Sequence, residues 1–272
     1  MPHAPAAPRP TPGLACGEVR GGNGVTYAAV GLPGLEGIIY SRPCTGVHGG
    51  DIHYLSRCGS GLLARVCLAD VAGHGPVVAA VGREMHDHLR RSVDVVDERK
   101  VFERFNRRLD QQGLSGLTTA VLVTYYPPSR RLTVSYAGHP RGWLYRAASQ
   151  SWEPLTGPER APARRPAYID VPLGVGLPAT FNRHRFRVAP GDRVLLVTDG
   201  VLETTSPANT PLDTHGVEGV LRAAASSVEA LATRLLDALH AHAEQPDLAH
   251  DDVTFFVGEF TEGPAGPALW HV

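Results

Sequence analysis

Pairs of short apolar segments, separated by turns rich in glycine or proline, recur along the chain. Segments 51–56 and 62–69, for example, flank the glycine-rich residues 58–61. Such pairs are typical of antiparallel β-hairpins. The predicted strands are 24–30, 35–40, 51–56, 62–69, 118–126, 132–137, 142–146, 181–188, 193–198 and 253–260.

Three other segments have apolar residues at helical spacing. They are 76–89, which begins at Pro76, 101–109, which is closed by Gly113, and 216–242. Hairpins with helices grouped in sequence favour an α+β fold with antiparallel sheets. Strands such as 194–197 are apolar at consecutive positions, so both of their faces should be covered, as in two packed sheets with helices outside. The Pro-, Arg- and Gly-rich segment 156–178 is predicted to be a surface loop.

A chain of 272 residues is long enough for one well-packed domain. We predict a domain over 24–262, a Pro/Ala-rich leader over 1–23 that packs against nothing, and a short tail over 263–272. The net charge of −1 gives no support for binding nucleic acid or an anionic membrane. The longest apolar runs fall short of the roughly 20 residues that a membrane-spanning helix needs. The four cysteines lack metal or redox spacing, which predicts reduced thiols in a cytoplasmic protein.

Acidic residues lie at the ends of four predicted strands. They are Asp51, Asp70, Asp199 and the pair Asp251 and Asp252. One acid at such a place is typical of an ordinary turn or cap. If several converged at one edge of a core, however, they would repel one another and be costly to desolvate, and a bound cation removes both penalties. Oxygen ligands favour Mg²⁺ or Mn²⁺ over zinc.

Five motifs occur in an order that resembles a known family. They are His-Gly-Gly-Asp at 48–51, Ala-Asp-Val-Ala-Gly-His-Gly at 69–75, Ala-Gly-His-Pro at 137–140, Thr-Asp-Gly-Val at 198–201 and Asp-Asp-Val-Thr at 251–254. This order resembles the bacterial PP2C-like (PPM) serine/threonine phosphatases. Within them it is most similar to the SpoIIE/RsbU branch, which dephosphorylates anti-sigma-factor antagonists. The resemblance runs from about residue 24 to 260 and implies a β-sandwich of two antiparallel sheets flanked by α-helices.

The resemblance also implies a centre of two Mn²⁺ or Mg²⁺ ions. Asp70 resembles the carboxylate that bridges the ions, with the backbone carbonyl of Val71 as a further ligand. Asp199 and Asp251 resemble ligands of one ion, and Asp51 resembles the acid that holds the other, directly or through water. Asp252 is the alternative to Asp251; otherwise it faces solvent or braces the loop.

Such a centre generates hydroxide near neutral pH, which attacks phosphorus in line without a side-chain nucleophile. The leaving oxygen benefits from a proton. His74 is a candidate donor because the pKa of histidine lies near neutral pH, and the alternative is a turn histidine that bonds the backbone. His139 is expected to be structural.

Three functions remain open at this point. The first is a metal-dependent phosphatase that acts on phosphoserine or phosphothreonine of a partner protein, such as an anti-sigma-factor antagonist. The second is a catalytically silent module that docks a phosphoprotein, and the third is a hydrolase of small phosphoesters at the same centre. Regulation is expected to come from a separate protein or from oligomerisation, or to be absent. A separate regulatory protein would act on the helices that follow His74, over residues 77–109.

A set of arginines could meet an acidic or phosphorylated partner, although solvated surface charges are the simpler interpretation. This set comprises Arg141, Arg164, Arg165, Arg183 and Arg185.

Overall fold

The computed structural model describes twelve stretches of the chain. These are residues 19–44, 46, 48–57, 62–73, 76–93, 95–112, 116–157, 168–176, 179–223, 226–245, 248 and 250–262. The predicted tail, 263–272, lies outside them, as do Cys16 and Cys58.

Two six-stranded sheets form the centre of the fold. In spatial order the first sheet contains β1 (Val19–Gly24), β4 (His48–Arg57), β5 (Ala64–Val71), β6 (Thr118–Tyr126), β7 (Arg131–Ala137) and β12 (His184–Arg187). The second contains β2 (Thr26–Leu32), β3 (Leu35–Arg42), β14 (Val253–Phe260), β13 (Arg193–Val197), β8 (Trp143–Arg146) and β9 (Ser151–Pro154). Neighbouring strands in both sheets are antiparallel.

Helices cover the outer faces of both sheets. The first sheet packs against α1 (Pro76–Arg91) and α2 (Glu98–Gln112). The second packs against α4 (Asp213–Arg222) and α5 (Val228–Ala243), while the one-turn helix α3 (Asp199–Leu202) follows β13 directly. Among the described helices, none combines the length and the apolar character that crossing a membrane requires.

The strand β13 shows why its residues are apolar at consecutive positions. Val194 and Leu196 lie in the core between the sheets, whereas Leu195 and Val197 lie in the core under α4 and α5. Side chains alternate between the two faces of a strand, so a strand covered on both sides has no polar face. The predicted α+β sandwich of two antiparallel sheets flanked by helices is confirmed.

Three local predictions differ from the structure. The predicted leader includes residues 19–23, but these belong to β1 and pair with β4, for example Gly21 with Tyr54. The predicted helix 216–242 is two helices, since Ser227 has an extended backbone and its hydroxyl accepts a hydrogen bond from the Ala230 N–H, which starts α5. Leu173, within the predicted surface loop, is fully buried and exchanges backbone hydrogen bonds with Thr118.

The same segment, predicted as a loop, also contributes to a small parallel pair of strands. In this pair β10 (Tyr168–Ile169) lies beside β11 (Ala179–Thr180). Residues 158–167, between β9 and β10, lie outside the described part of the chain.

A buried ion pair joins α2 to the first sheet. Glu98 in the first turn of α2 is fully buried and lies 2.7 Å from the guanidinium of Arg183. The hydroxyl of Thr133 on β7 donates a hydrogen bond to Glu98. A buried carboxylate needs such partners, because its desolvation costs several kcal/mol.

We expect Glu98→Gln to lower the free energy of unfolding by about 3 kcal/mol, since it leaves Arg183 without its counter-charge. Urea denaturation of both proteins measures the difference. The matched control is Glu229→Gln, because Glu229 also lies in the first turn of a helix but is exposed. The control should lose less than about 1 kcal/mol, and equal losses in both variants would contradict the role of the ion pair.

Candidate metal centre

Two of the predicted acids lie side by side on the first sheet. Asp51 on β4 and Asp70 on β5 are directly opposed in the antiparallel register. Side chains at opposed positions project from the same face, with Cβ atoms about 5 Å apart. Asp51 is only 3% exposed and Asp70 is half-buried. Like charges in this arrangement destabilise a sheet unless something compensates them.

The second sheet brings two further acids to the same edge. Asp199 follows β13 and opens α3, and Asp251 lies just before β14. Because β13 and β14 are antiparallel, with Val197 opposite Phe255, the end of one strand lies beside the start of the other. Both side chains are half-buried.

Thr198 joins the two sheets at this edge. Its hydroxyl donates a 2.7 Å hydrogen bond to Asp51 Oδ2 and accepts one from the backbone N–H of Thr254. Thr198 is fully buried. Thr198 belongs to the Thr-Asp-Gly-Val motif, but no role was predicted for it. The only sign of its role in the sequence was a hydroxyl next to an acidic residue.

Burial, and after it the charges of neighbouring acids, raises the pKa values of three of these carboxyl groups. Burial and then the charges of Asp199, Asp251, Asp252 and Glu203 raise the pKa of Asp70 to about 7. Burial also raises the pKa of Asp199, with Asp251 as the next cause.

The pKa of Asp51 is also raised, although a hydrogen bond opposes the increase. Its pKa lies well above the usual range because it is buried, although the hydrogen bond from Thr198 lowers it. Among the described residues, the charges that contribute most to these three pKa values are those of other carboxylates. A bound divalent cation would favour their ionised forms.

A glycine keeps open the space between two donor oxygens. A Cβ atom at Gly50 would lie 2.7 Å from the carbonyl oxygen of Val71 and 3.0 Å from Asp70 Oδ1. Both oxygens therefore face the same small volume beside β4. A carbonyl and a carboxylate oxygen aimed at one point suit a hard divalent cation, so the residues present fit Mg²⁺ or Mn²⁺.

The two acids of the doublet differ in their hydrogen bonds. Asp252 is 6% exposed, and its oxygens accept from the backbone N–H groups of Cys44, Gly50 and Asp51. Asp252 therefore braces the segment that carries Asp51, which is one of the two alternatives predicted for it. Among the described hydrogen bonds, the side chain of Asp251 accepts one, from the backbone N–H of Asp252.

Two residues near the centre were missed from the sequence. The donor atoms of Cys44, Asp251 and Asp252 all lie within 4.8 Å of one another. Glu203 is exposed, and the charges of Asp199 and Asp251 contribute to raising its pKa after desolvation, the largest cause. A thiol is a soft ligand that Mg²⁺ and Mn²⁺ do not favour, so Cys44 is a neighbour of the site and not a ligand of choice.

The predicted histidines have different outcomes. His74 lies outside the described residues, so its role as a proton donor stays a prediction. His139 is buried, and its Nδ1 lies 2.9 Å from the hydroxyl of Thr119, which is opposite Asp70 in the β5–β6 register. Burial lowers the pKa of His139 to about 3, so its ring is neutral near pH 7. This setting agrees with a structural role.

The described members of the predicted arginine set have different surroundings. Arg183 is paired with Glu98, whereas Arg141 lies 4.9 Å above the ring of Tyr136, beside the cavity that contains Asp199. Arg185 is exposed on β12. Arg164 and Arg165 lie outside the described residues.

Comparisons with known structures identify the same fold in phosphatases. RsbX in complex with magnesium has a TM-score of 0.63 at 17% identity, over 87% of this chain and 100% of that chain. The PP2C phosphatase domain of SpoIIE from Bacillus subtilis, with a fragment of its regulatory domain, has a TM-score of 0.62 at 14% identity, over 88% and 63%. The serine/threonine phosphatase PstP/Ppp from Mycobacterium tuberculosis has a TM-score of 0.58 at 18% identity, over 84% and 99%.

The fold is therefore that of PP2C-like phosphatases, and one of the structures that share it, RsbX, was solved with magnesium. The model of the family described as Stage II sporulation protein E (SpoIIE) matches residues 63–261, and the chain belongs to this family. The predicted resemblance to the SpoIIE/RsbU branch is therefore confirmed. No functionally curated protein matches the sequence significantly.

We expect Gly50→Ala to weaken Mn²⁺ binding by about tenfold or more, because the new methyl group would displace the Val71 carbonyl and the Asp70 carboxylate. Isothermal titration calorimetry measures the affinity. Gly31→Ala is the matched control, since a Cβ atom there meets no atom within 4 Å. Unchanged affinity in the Gly50 variant would show that these two oxygens do not bind the ion.

Proposed function

We propose that the chain hydrolyses phosphoserine and phosphothreonine on a partner protein, using two Mn²⁺ or Mg²⁺ ions held at the edge of the sandwich. The observation that carries this proposal is the convergence of Asp51 and Asp70 from one sheet with Asp199 and Asp251 from the other. Membership of the SpoIIE family supports the choice of a phosphoprotein over other phosphoesters.

The geometry supports the proposed ligands. Asp70 is opposed to Asp51 on one sheet, and the charges of Asp199 and Asp251 from the other sheet contribute to its raised pKa after burial. This arrangement supports our proposal that Asp70 would be shared by two ions. The Val71 carbonyl faces the same space as Asp70, and Asp251 is preferred to Asp252, whose oxygens are already used by backbone N–H groups.

When bound, the ions lower the pKa of water and neutralise charge on the phosphoryl oxygens. The residues of the chain hold the acids in position. Thr198 and Asp252 fix Asp51 in position through the hydrogen bonds described above, and thereby hold the acids of the two sheets in register. Such positioning before the reaction is where a rigid scaffold contributes most to catalysis.

A proton for the leaving serine or threonine oxygen must come from elsewhere than His139. With its pKa near 3, that ring carries no proton to donate as an imidazolium near pH 7. His74 remains our proposed donor.

We further propose that the substrate is an anti-sigma-factor antagonist in the cytoplasm and that a separate regulatory protein acts on α1. Support for such a regulator is local. The helix α1 begins five residues after Val71, and Arg65 on the same strand donates hydrogen bonds to the carbonyls of Ser92 and Val95 beyond its end. A shift of α1 would therefore be felt by the strand that carries Asp70.

We expect hydrolysis of p-nitrophenyl phosphate in Mn²⁺, its loss in EDTA, and a decrease in kcat of about a hundredfold or more in Asp70→Asn and Asp199→Asn. Steady-state kinetics measure these rates, and circular dichroism checks that each variant is folded. Asp237→Asn is the control, since Asp237 is exposed on α5. A folded wild-type protein without metal-dependent turnover would instead favour the silent docking module.

The nature of the substrate is tested separately. A phosphorylated antagonist protein should be hydrolysed with a higher kcat/KM than nucleotides or sugar phosphates. The opposite order would favour the hydrolase of small phosphoesters.

A further inference from the structure

A cavity of about 590 Å³ opens directly beside the candidate metal centre. Asp199 and Glu203 line one end of it, and the turn that contains His139 and Arg141 lines one wall. Thr214 and Glu218 from α4 line the opposite wall. A group bound at the metal centre would therefore continue into this space.

A second cavity of about 650 Å³ extends the first one. The two share Trp143, Pro154 and Glu218. The second then continues over Tyr145 and Trp152 on the hairpin of β8 and β9. We call the two together the aromatic groove. Their volumes are in the range of ligand-binding cavities.

The aromatic floor of the groove is incompletely covered. Tyr145 and Trp152 are opposed in the β8–β9 register, with ring centroids 5.3 Å apart, and both are only half-buried. Both rings lie on the hairpin of β8 and β9 at the edge of the second sheet, and residues of α4 line the same cavity. A cluster of large rings left partly in water is typical of a binding surface.

The walls of the groove carry charges of both signs. Glu218 and Arg222 come from α4, and the guanidinium of Arg193 lies 5.5 Å above the ring of Tyr145 while pairing with Glu259 at 2.7 Å. A polyanion such as RNA would meet carboxylates here. A polypeptide segment with one large apolar side chain fits better.

The register of the sheet gives the distance from the metal centre. Tyr145 lies opposite Arg193 on β13, and Asp199 lies farther along the same chain segment. At about 3.3 Å per residue this separation is about 20 Å, which about six residues of extended peptide would span.

We propose that the aromatic groove binds the segment of the substrate that flanks its phosphorylated residue, with an aromatic or large aliphatic side chain inserted among Trp143, Tyr145 and Trp152. This inference rests on the proposed phosphatase function and adds a determinant of specificity to it. The anchoring side chain lies about six residues from the phosphorylated serine or threonine.

The test uses phosphoserine peptides in an alanine/serine background. Each carries one leucine or tryptophan at a single position, up to about eight residues on either side of the phosphoserine. The wild-type protein should hydrolyse peptides anchored about six residues away with a kcat/KM about tenfold higher than the unanchored peptide, since a filled apolar pocket gives discrimination of this order. Equal kcat/KM for all positions, with p-nitrophenyl phosphate still hydrolysed, would overturn the groove and leave the phosphatase function standing.

Two variants assign the effect to the groove. Ala223→Trp adds bulk at an exposed position of the lining, and Trp152→Ala removes part of the floor. Both should abolish the preference for the anchored peptide and leave turnover of p-nitrophenyl phosphate unchanged. Tyr168→Ala, an exposed aromatic on β10, is the control and should retain the preference. Parallel losses on p-nitrophenyl phosphate and on every peptide would show a structural role only and overturn the proposal.

A measurement of peptide binding tests the aromatic groove independently of the proposed phosphatase activity. Fluorescence anisotropy compares labelled anchored and unanchored peptides on the wild-type protein and on Ala223→Trp, whether or not turnover occurs. Tighter binding of the anchored peptide, lost in Ala223→Trp, supports the groove even in a silent docking protein. Equal affinities overturn it.

Discussion

Repulsion among carboxylates at one edge of a β-sandwich is the constraint on which the rest of the site depends. Asp51 and Asp70 face each other across two strands of the first sheet, and Asp199 and Asp251 reach the same edge from the second. Burial is the largest cause of the raised pKa of Asp70, about 7, and the charges of the neighbouring acids add to it. Folding concentrates negative charge here, and divalent cations offset it. A fold that brings these carboxylates together is suited to bind metal, and membership of the SpoIIE family connects that metal to the chemistry of phosphate esters.

The neighbouring residues act by holding this edge together. Thr198 ties Asp51 of one sheet to a strand of the other, and Asp252 receives the backbone N–H groups that precede and include Asp51. Gly50 leaves the space toward which Asp70 and the Val71 carbonyl are directed. The two acids of the doublet therefore differ, because Asp252 accepts backbone hydrogen bonds while Asp251 is the one that we propose as a metal ligand.

The aromatic groove gives the second sheet a further role beyond supplying Asp199 and Asp251. Its edge hairpin of β8 and β9 leaves aromatic surface partly in water, in a cavity that continues to the metal centre. Chemistry and recognition then lie on one continuous surface, with β13 leading to the acid and its neighbour β8 supplying the apolar floor. A small substrate would use only the first part of this surface, whereas a phosphoprotein would use both.

Much of the fold and the acids themselves could be predicted from the sequence, because alternation along a strand and acids at strand ends are local patterns. Those patterns predicted the hairpins, the two covered sheets and the set of acids, and the order of the motifs indicated the family. The resemblance preferred Asp251 to Asp252 as a ligand, but the physical difference between the two acids could not be predicted, since it depends on the backbone of residues 44–51, about two hundred positions earlier in the chain. Nor did the local patterns find the start of α5 at Ser227 or the strand formed by residues 19–24, which depend on a cap and on pairing with β4. The role of Thr198 and the aromatic groove likewise arose only from tertiary structure, because both depend on how the two sheets and their helices pack. Spacing along the chain indicates the faces of each element, but it does not indicate which distant element those faces meet.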